Sequence, residues 1–196
     1  MRKLLFSRQS PCLQPIRELI ERQTHRTIIL WTLDCAGRVL AIFERKYPDD
    51  KRPREAVEAA RAWAHGEIKM PVAMKAALAA HNAATAVSFD PAAAAAARAM
   101  GHVVGTVHVE THAMGFVIYA LTAFVYKAGP EGQKENADDV IAKECQWLYD
   151  RLLFWEAKDS DSFGLWAAFL VNDDRPNKEY LLRLKMEQKR VIELKF

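Results

Sequence analysis

A chain of 196 residues is long enough for one domain with, at most, an appended terminal element, and a composition 51% hydrophobic and 27% charged is that of an ordinary soluble globular protein. The formal charge of +3 sits at the two ends: excesses of four in residues 1–26 and three in residues 178–196 leave the middle at −4. With no zinc-finger or RNP-like motif, that distribution argues against specific nucleic-acid binding.

The start, "MRKLLFSRQSP", carries a positive cluster, but its apolar run is too short for a secretory signal. Segment 15–47 follows, and its stripe Leu33, Ala36, Leu40, Phe43 reads as one helix stopped by Pro48, although "TIIL" alone would suit a strand. The clearest helix start comes next: Pro53 suits a first turn, Glu55 complements the positive end of the dipole, and Gly66 is a natural terminator. Residues 70–87 give a third helix. Asp90-Pro91 caps and opens a fourth, through six consecutive alanines at 92–97 that favour helix and close approach. Helical character continues to 127, and about thirty-six unbroken residues would be long for a globular helix.

"GPEGQKEN" (129–136) reads as a turn. Residues 137–157 return to helix, with Glu144 and Arg151 weakening an apolar stripe that Ile141, Cys145 and Trp155 restore. After that come a linker-like "DSDSFG", an ambiguous "LWAAFLV" (165–171), a turn-like "NDDRPNKEY" and a loosely helical tail. "DDKRP" at 49–53 and "DDRP" at 173–176 are too short a match to establish a repeat. The expected architecture is all-α: a single compact domain of closely packed, alanine-rich antiparallel helices. Residues 1–158 form the helical core, and 159–196 form a C-terminal extension packed on it. Cys12, Cys35 and Cys145, odd in number and without a CxxC, read as the reduced thiols of a cytoplasmic protein. The longest apolar run, "GFVIYALTAFVY", is too short to span a membrane.

Chemistry concentrates in "GHVVGTVHVETHAMG" (101–115), with three histidines and three glycines. On a continuous helix Gly101, Gly105, His108, His112 and Gly115 share an arc about 80° wide, whereas His102 points elsewhere. The leading reading is a seam where a second backbone comes close and the histidines are hydrogen-bonded. The alternative is a metal- or small-ligand-binding helical protein, an enzyme included, built on His108 and His112. His81, His65 and Asp34 are candidates for a third ligand by residue type, and zinc is the divalent metal such donors suit. Glu110 is two places after His108, not one, and so cannot act as the general base of a zincin motif.

No GxSxG elbow, phosphate loop or dinucleotide fingerprint is present, and Cys35 reads as a buried small hydrophobe. "DDKRPREA" crowds Asp49, Asp50, Arg52, Arg54 and Glu55 into a loop feeding a helix. Self-pairing in solvent explains such a cluster. With Arg61 and Trp63 nearby, it is also a candidate binding edge.

Taken together, "LDCAGRVLAIFERKYPDDKRPREAVEAARAWAHGEI", "AALAAHNAA" and "AAAAARAMGHVVGTVHVETHAMGFVIYA" resemble the bacterial immunity-protein-five-like family, over roughly residues 25–127. The resemblance implies a small helical cytoplasmic protein that binds and neutralises a cognate toxin. Carried onto this chain, the family's recurrent positions are Asp34, Arg38, Asp50, Arg52, Pro53, Arg54, Ala56, Arg61, Trp63, His81, Arg98, His108 and His112, with no catalytic residue among them; Asp34, Arg38, Asp50, Arg52, Arg54, Arg61, Trp63, His81 and Arg98 are the candidate binding residues. The expectation is a non-enzymatic protein-binding module without a cofactor or membrane partner, with a homo-oligomer left open. His81, His108 and His112 are expected to face one interior, supported by Asp34, Arg38 and Arg98.

Overall fold

The computed structural model describes residues 4–129, 136–158, 164–171 and 175–193, apart from the side chains of 190–193. A 3-10 turn at Pro11–Leu13 leads into α1 (Gln14–Glu21) and α2 (His25–Glu44). The single helix expected over 15–47 is therefore two. Thr24 lies in extended backbone, and its hydroxyl accepts from the Thr27 N–H at 3.2 Å, so the chain is capped afresh there. "TIIL" belongs to α2 and not to a strand.

α3 (Arg52–Ala64) starts with Pro53 in its first turn and ends before Gly66, whose φ of 79° is the left-handed exit that glycine allows. α4 (Met70–Ala86) buries Ala73, Ala77, Ala80 and Ala84, one stripe at helical spacing. Asp90 caps α5 (Pro91–His108) by accepting from the Ala93 N–H at 3.2 Å. α6 (His112–Ala128) and α7 (Ala137–Glu156) follow. Val109, extended at φ −159° and ψ 138°, breaks the long helical segment between α5 and α6.

α5 is the axis of the fold. All six alanines of 92–97 are buried, and the helix packs against α2, α3, α4 and α6. Alanine on every side lets four neighbours approach one helix. Gly105 meets His112 while His102 meets Gly115 and Tyr119, so position falls along α5 as it rises along α6: the two are antiparallel. Around them Trp31, Phe43, Phe116, Met100 and Met114 fill the fully buried core.

The ambiguous run 165–171 contributes α8 (Ala168–Val171), anchored where the Ala167 N–H donates to the Ala64 carbonyl at 2.8 Å. α9 (Lys178–Glu193) begins inside the segment expected to be a turn, because Asn177 Oδ1 accepts from the Glu179 N–H at 2.9 Å. The turn at 130–135, the linker at 159–163 and the two aspartates of the 173–176 echo lie outside the described residues. Among the described residues there are nine α-helices and no strand, and no helix is long and apolar enough to cross a membrane.

Candidate functional site

The break at Val109 rearranges the histidine–glycine seam. Each seam glycine now carries an imidazole ring from a neighbouring helix. A methyl group at Gly101 would lie 2.5 Å from His81 Cε1, and one at Gly105 would lie 2.6 Å from His112 Cγ. One at Gly115 would overlap the His102 ring. The glycines are therefore seats for rings, which is why α5 tolerates residues that weaken a helix.

His102 is the hub of the seam. Its Nδ1 lies 3.3 Å from His112 Nδ1, its ring stacks on Tyr119 with centroids 5.2 Å apart, and His81 meets it edge-on at 5.8 Å. Burial, then the neighbouring His112 and His81, then Arg8 and Arg98, push its pKa down to about 3. Burial, followed by His108 and Arg8, also lowers the pKa of His112. These rings are neutral, and one must donate while the other accepts.

The structure corrects the expected pairing of His108 with His112. They stand on opposite sides of the break, and His108 stacks on Trp63, centroids 6.3 Å apart and planes 17° apart. Trp63 in turn packs against Phe169 at 5.9 Å. His81 and His112 do face one interior, but with His102 in the place given to His108. Among the described residues no group of three or more His, Cys, Asp or Glu side chains is arranged to hold a metal ion, and the proposed ligand set His81, His108, His112 does not converge.

Of the three supporting residues, Arg98 lies at the seam, 8% exposed and close enough to depress His102. Asp34 and Arg38 do not. They project from α2 to α7, where Asp34 accepts from Arg151 (2.6 Å) and from the Trp155 indole (3.0 Å). Arg38 bonds buried Glu144 at 2.7 Å and lies over the Trp147 ring at 4.3 Å. The two charges that seemed to spoil the α7 stripe, Glu144 and Arg151, are thus the partners that hold α7 to α2.

The "DDKRPREA" cluster is largely self-paired. Asp50 takes a forked contact from Arg52 (2.8 and 2.6 Å), which holds its carboxyl below the usual carboxylate range. Arg54 grips Glu44 with two bonds of 2.6 Å, and Arg61 is exposed near the end of α3. Beside α3, α4 turns a second stripe to solvent: Met70, Met74 and Leu78, at i, i+4 and i+8, are 45%, 43% and 60% exposed, with Phe89 at 78% beyond them. This stripe is not among the candidates that sequence spacing singled out. Its signal was available, since these are the large apolar residues that fall outside the alanine face of α4.

No curated protein and no solved structure matches the chain. The family described as "Imm-5 like putative immunity protein" matches residues 18–153, well over half of the sequence. That span reaches through most of α7, beyond the resemblance that stopped near residue 127, and it includes the seam, the α3–α4 hairpin and the α2–α7 ion pairs. On that match the chain belongs to the Imm-5 like immunity-protein family.

Proposed function

We propose that this immunity-type protein is a non-enzymatic module that binds a protein partner, its cognate toxin, in the cytoplasm, and that the α3–α4 hairpin is the docking surface. The observation that carries the location is the exposed stripe Met70, Met74, Leu78. Large apolar side chains aligned on one exposed helix face form a contiguous patch of the kind that marks an interaction surface. Arg54 and Arg61 on the adjoining helix supply the charged rim that a binding edge requires, and buried Trp63 packs α3 onto His108 at the end of α5. Asp34 and Arg38 hold α2 to α7, His81 and Arg98 stand at the histidine seam, and Asp50 and Arg52 pair within the loop that feeds α3, at the edge of the hairpin. Residues 159–196 are read as an extension laid on a 1–158 core, because α9 is tied to α1 and α8 to α3.

Affinity capture with the tagged chain from its native extract, followed by mass spectrometry, tests the reading. A single protein should be recovered by the wild type and lost with Met74→Glu/Leu78→Glu, and its expression alone should be toxic to cells that the chain protects. Recovery of a defined small molecule without protein, or capture unaffected by the double substitution, rejects the proposal. A second copy of the chain as the captured species would reassign the stripe to self-association.

A further inference from the structure

Four carboxylates are buried among the described residues, and three have a basic partner: Glu21 with Arg183, Glu144 with Arg38, Glu179 with Arg8. Glu110 is the fourth. It is 4% exposed, stands in the break between α5 and α6, and its carboxylate makes no hydrogen bond or ion pair with any described residue. Neither Glu110 oxygen is among the fully buried unpartnered atoms, so the carboxylate meets a cleft through its oxygens and is hydrated there, where an entering cation can displace that water. The cleft, of about 350 Å³, lies between the α1–α2 turn, the α5–α6 break and the start of α9. That volume takes a group of a few heavy atoms on a short alkyl stem.

We infer that this cleft binds an organic monocation, an ammonium or guanidinium group, on the carboxylate of Glu110. The other walls fit that chemistry. Glu21 also lines the cleft, and its Oε1 lacks a hydrogen-bond partner although Arg17 stands 3.6 Å away. His25 commits Nε2 to the Thr106 carbonyl at 2.7 Å, and the Asn177 amide bonds the carbonyls of Ile20 and Gln23, so neither offers a loose metal donor. Divalent ions need several converging oxygen or nitrogen ligands, whereas a guanidinium or ammonium is satisfied by a carboxylate and nearby acceptors. The cationic residues of the cleft, Arg22 and Arg175, are exposed, and Arg22 is paired with Glu156 at 3.3 Å. The site uses none of the α3–α4 hairpin and stands apart from the docking surface proposed above.

The shared chemistry has two sources, a free small cation or a basic side chain of a protein, and amide NMR titration of the full chain separates them. The probes are n-butylguanidinium, n-butylammonium and a capped glycine peptide holding one arginine, each matched in ionic strength with sodium chloride. Shifts are expected at residues 22–25 and 109–113, with at least a tenfold weaker affinity in Glu110→Gln. Equal affinity for the free cations and the peptide assigns the site to a small ligand, and tenfold tighter peptide binding assigns it to a partner's side chain. Should Glu110→Gln fail to fold, the wild-type shift map decides. Absence of localised shifts with every probe, or unchanged affinity in a folded Glu110→Gln, overturns the inference.

Discussion

His102 and His112 meet Nδ1 to Nδ1 at 3.3 Å across the break between α5 and α6, with the His102 ring seated on Gly115. The contact requires neutral imidazole, and burial holds the His102 pKa at about 3 against 6.5 for the free side chain. The unfolded chain therefore binds a proton that the folded chain refuses. This contribution is complete above about pH 6.5 and is lost as the pH falls toward about 3, at up to about 1.4 kcal/mol per pH unit. His112 acts in the same sense; Glu179, whose carboxyl is raised chiefly by burial, acts in the opposite sense. Urea midpoints should fall between pH 7.5 and 5 and fall less in His102→Gln. Parallel pH profiles for the two proteins would remove His102 from the account.

The glycines separate by what lies over them. Gly101→Ala and Gly105→Ala each place a methyl within 2.6 Å of a histidine ring, so each should destabilise by about 1–3 kcal/mol through overpacking. Gly37, exposed in the middle of α2 with nothing within 4 Å of an added methyl, should gain about 0.5–1 kcal/mol from the same change. Thermal unfolding of the three variants checks both signs.

Asp34 and Arg151 should be coupled, while Asp34 and Arg98 should not. Asp34 bridges α2 to α7 through Arg151 and Trp155, whereas Arg98 stands at the histidine seam. In denaturation cycles, Asp34→Ala with Arg151→Ala should show an interaction below about 1 kcal/mol, as suits a partly exposed pair. Asp34→Ala with Arg98→Ala should be additive.

Arg8 ties three distant parts of the chain together. It pairs with Glu179, which is 2% exposed at the start of α9, and donates to the Thr111 carbonyl at the α5–α6 break. Glu179→Ala leaves the guanidinium without its carboxylate and should loosen the start of α9 from the N-terminal segment and the α5–α6 break. Hydrogen exchange should rise across residues 175–189 with little change in α5, and uniform exchange in both proteins would contradict this.

Much of this was legible in the sequence. The caps at Asp90 and Gly66 and the alanine stripe of α4 are local signals with local causes. The break at Val109 was not, because a valine continues a helix as readily as it leaves one. That single extended residue exchanges the histidine partners, turning His102 inward and leaving His108 to Trp63. Periodicity on an assumed straight helix therefore found the right segment and half of the right residues. The partners of Asp34 and Arg38 were hidden for another reason: Glu144 and Arg151 are over one hundred positions away, and spacing says nothing about which helix lies opposite.

The alanine run of α5 has a consequence for how such a protein can change. A residue buried on every side between four helices has no direction in which to grow, so the plainest stretch of the sequence is the least replaceable. The α3–α4 surface is under no such constraint, because Met70, Met74, Leu78 and Arg61 extend into solvent. A scaffold that concentrates its tight packing in one small-residue axle leaves its outer faces free to be rewritten, so the proposed docking surface can diverge from one lineage to the next while the frame beneath it stays the same.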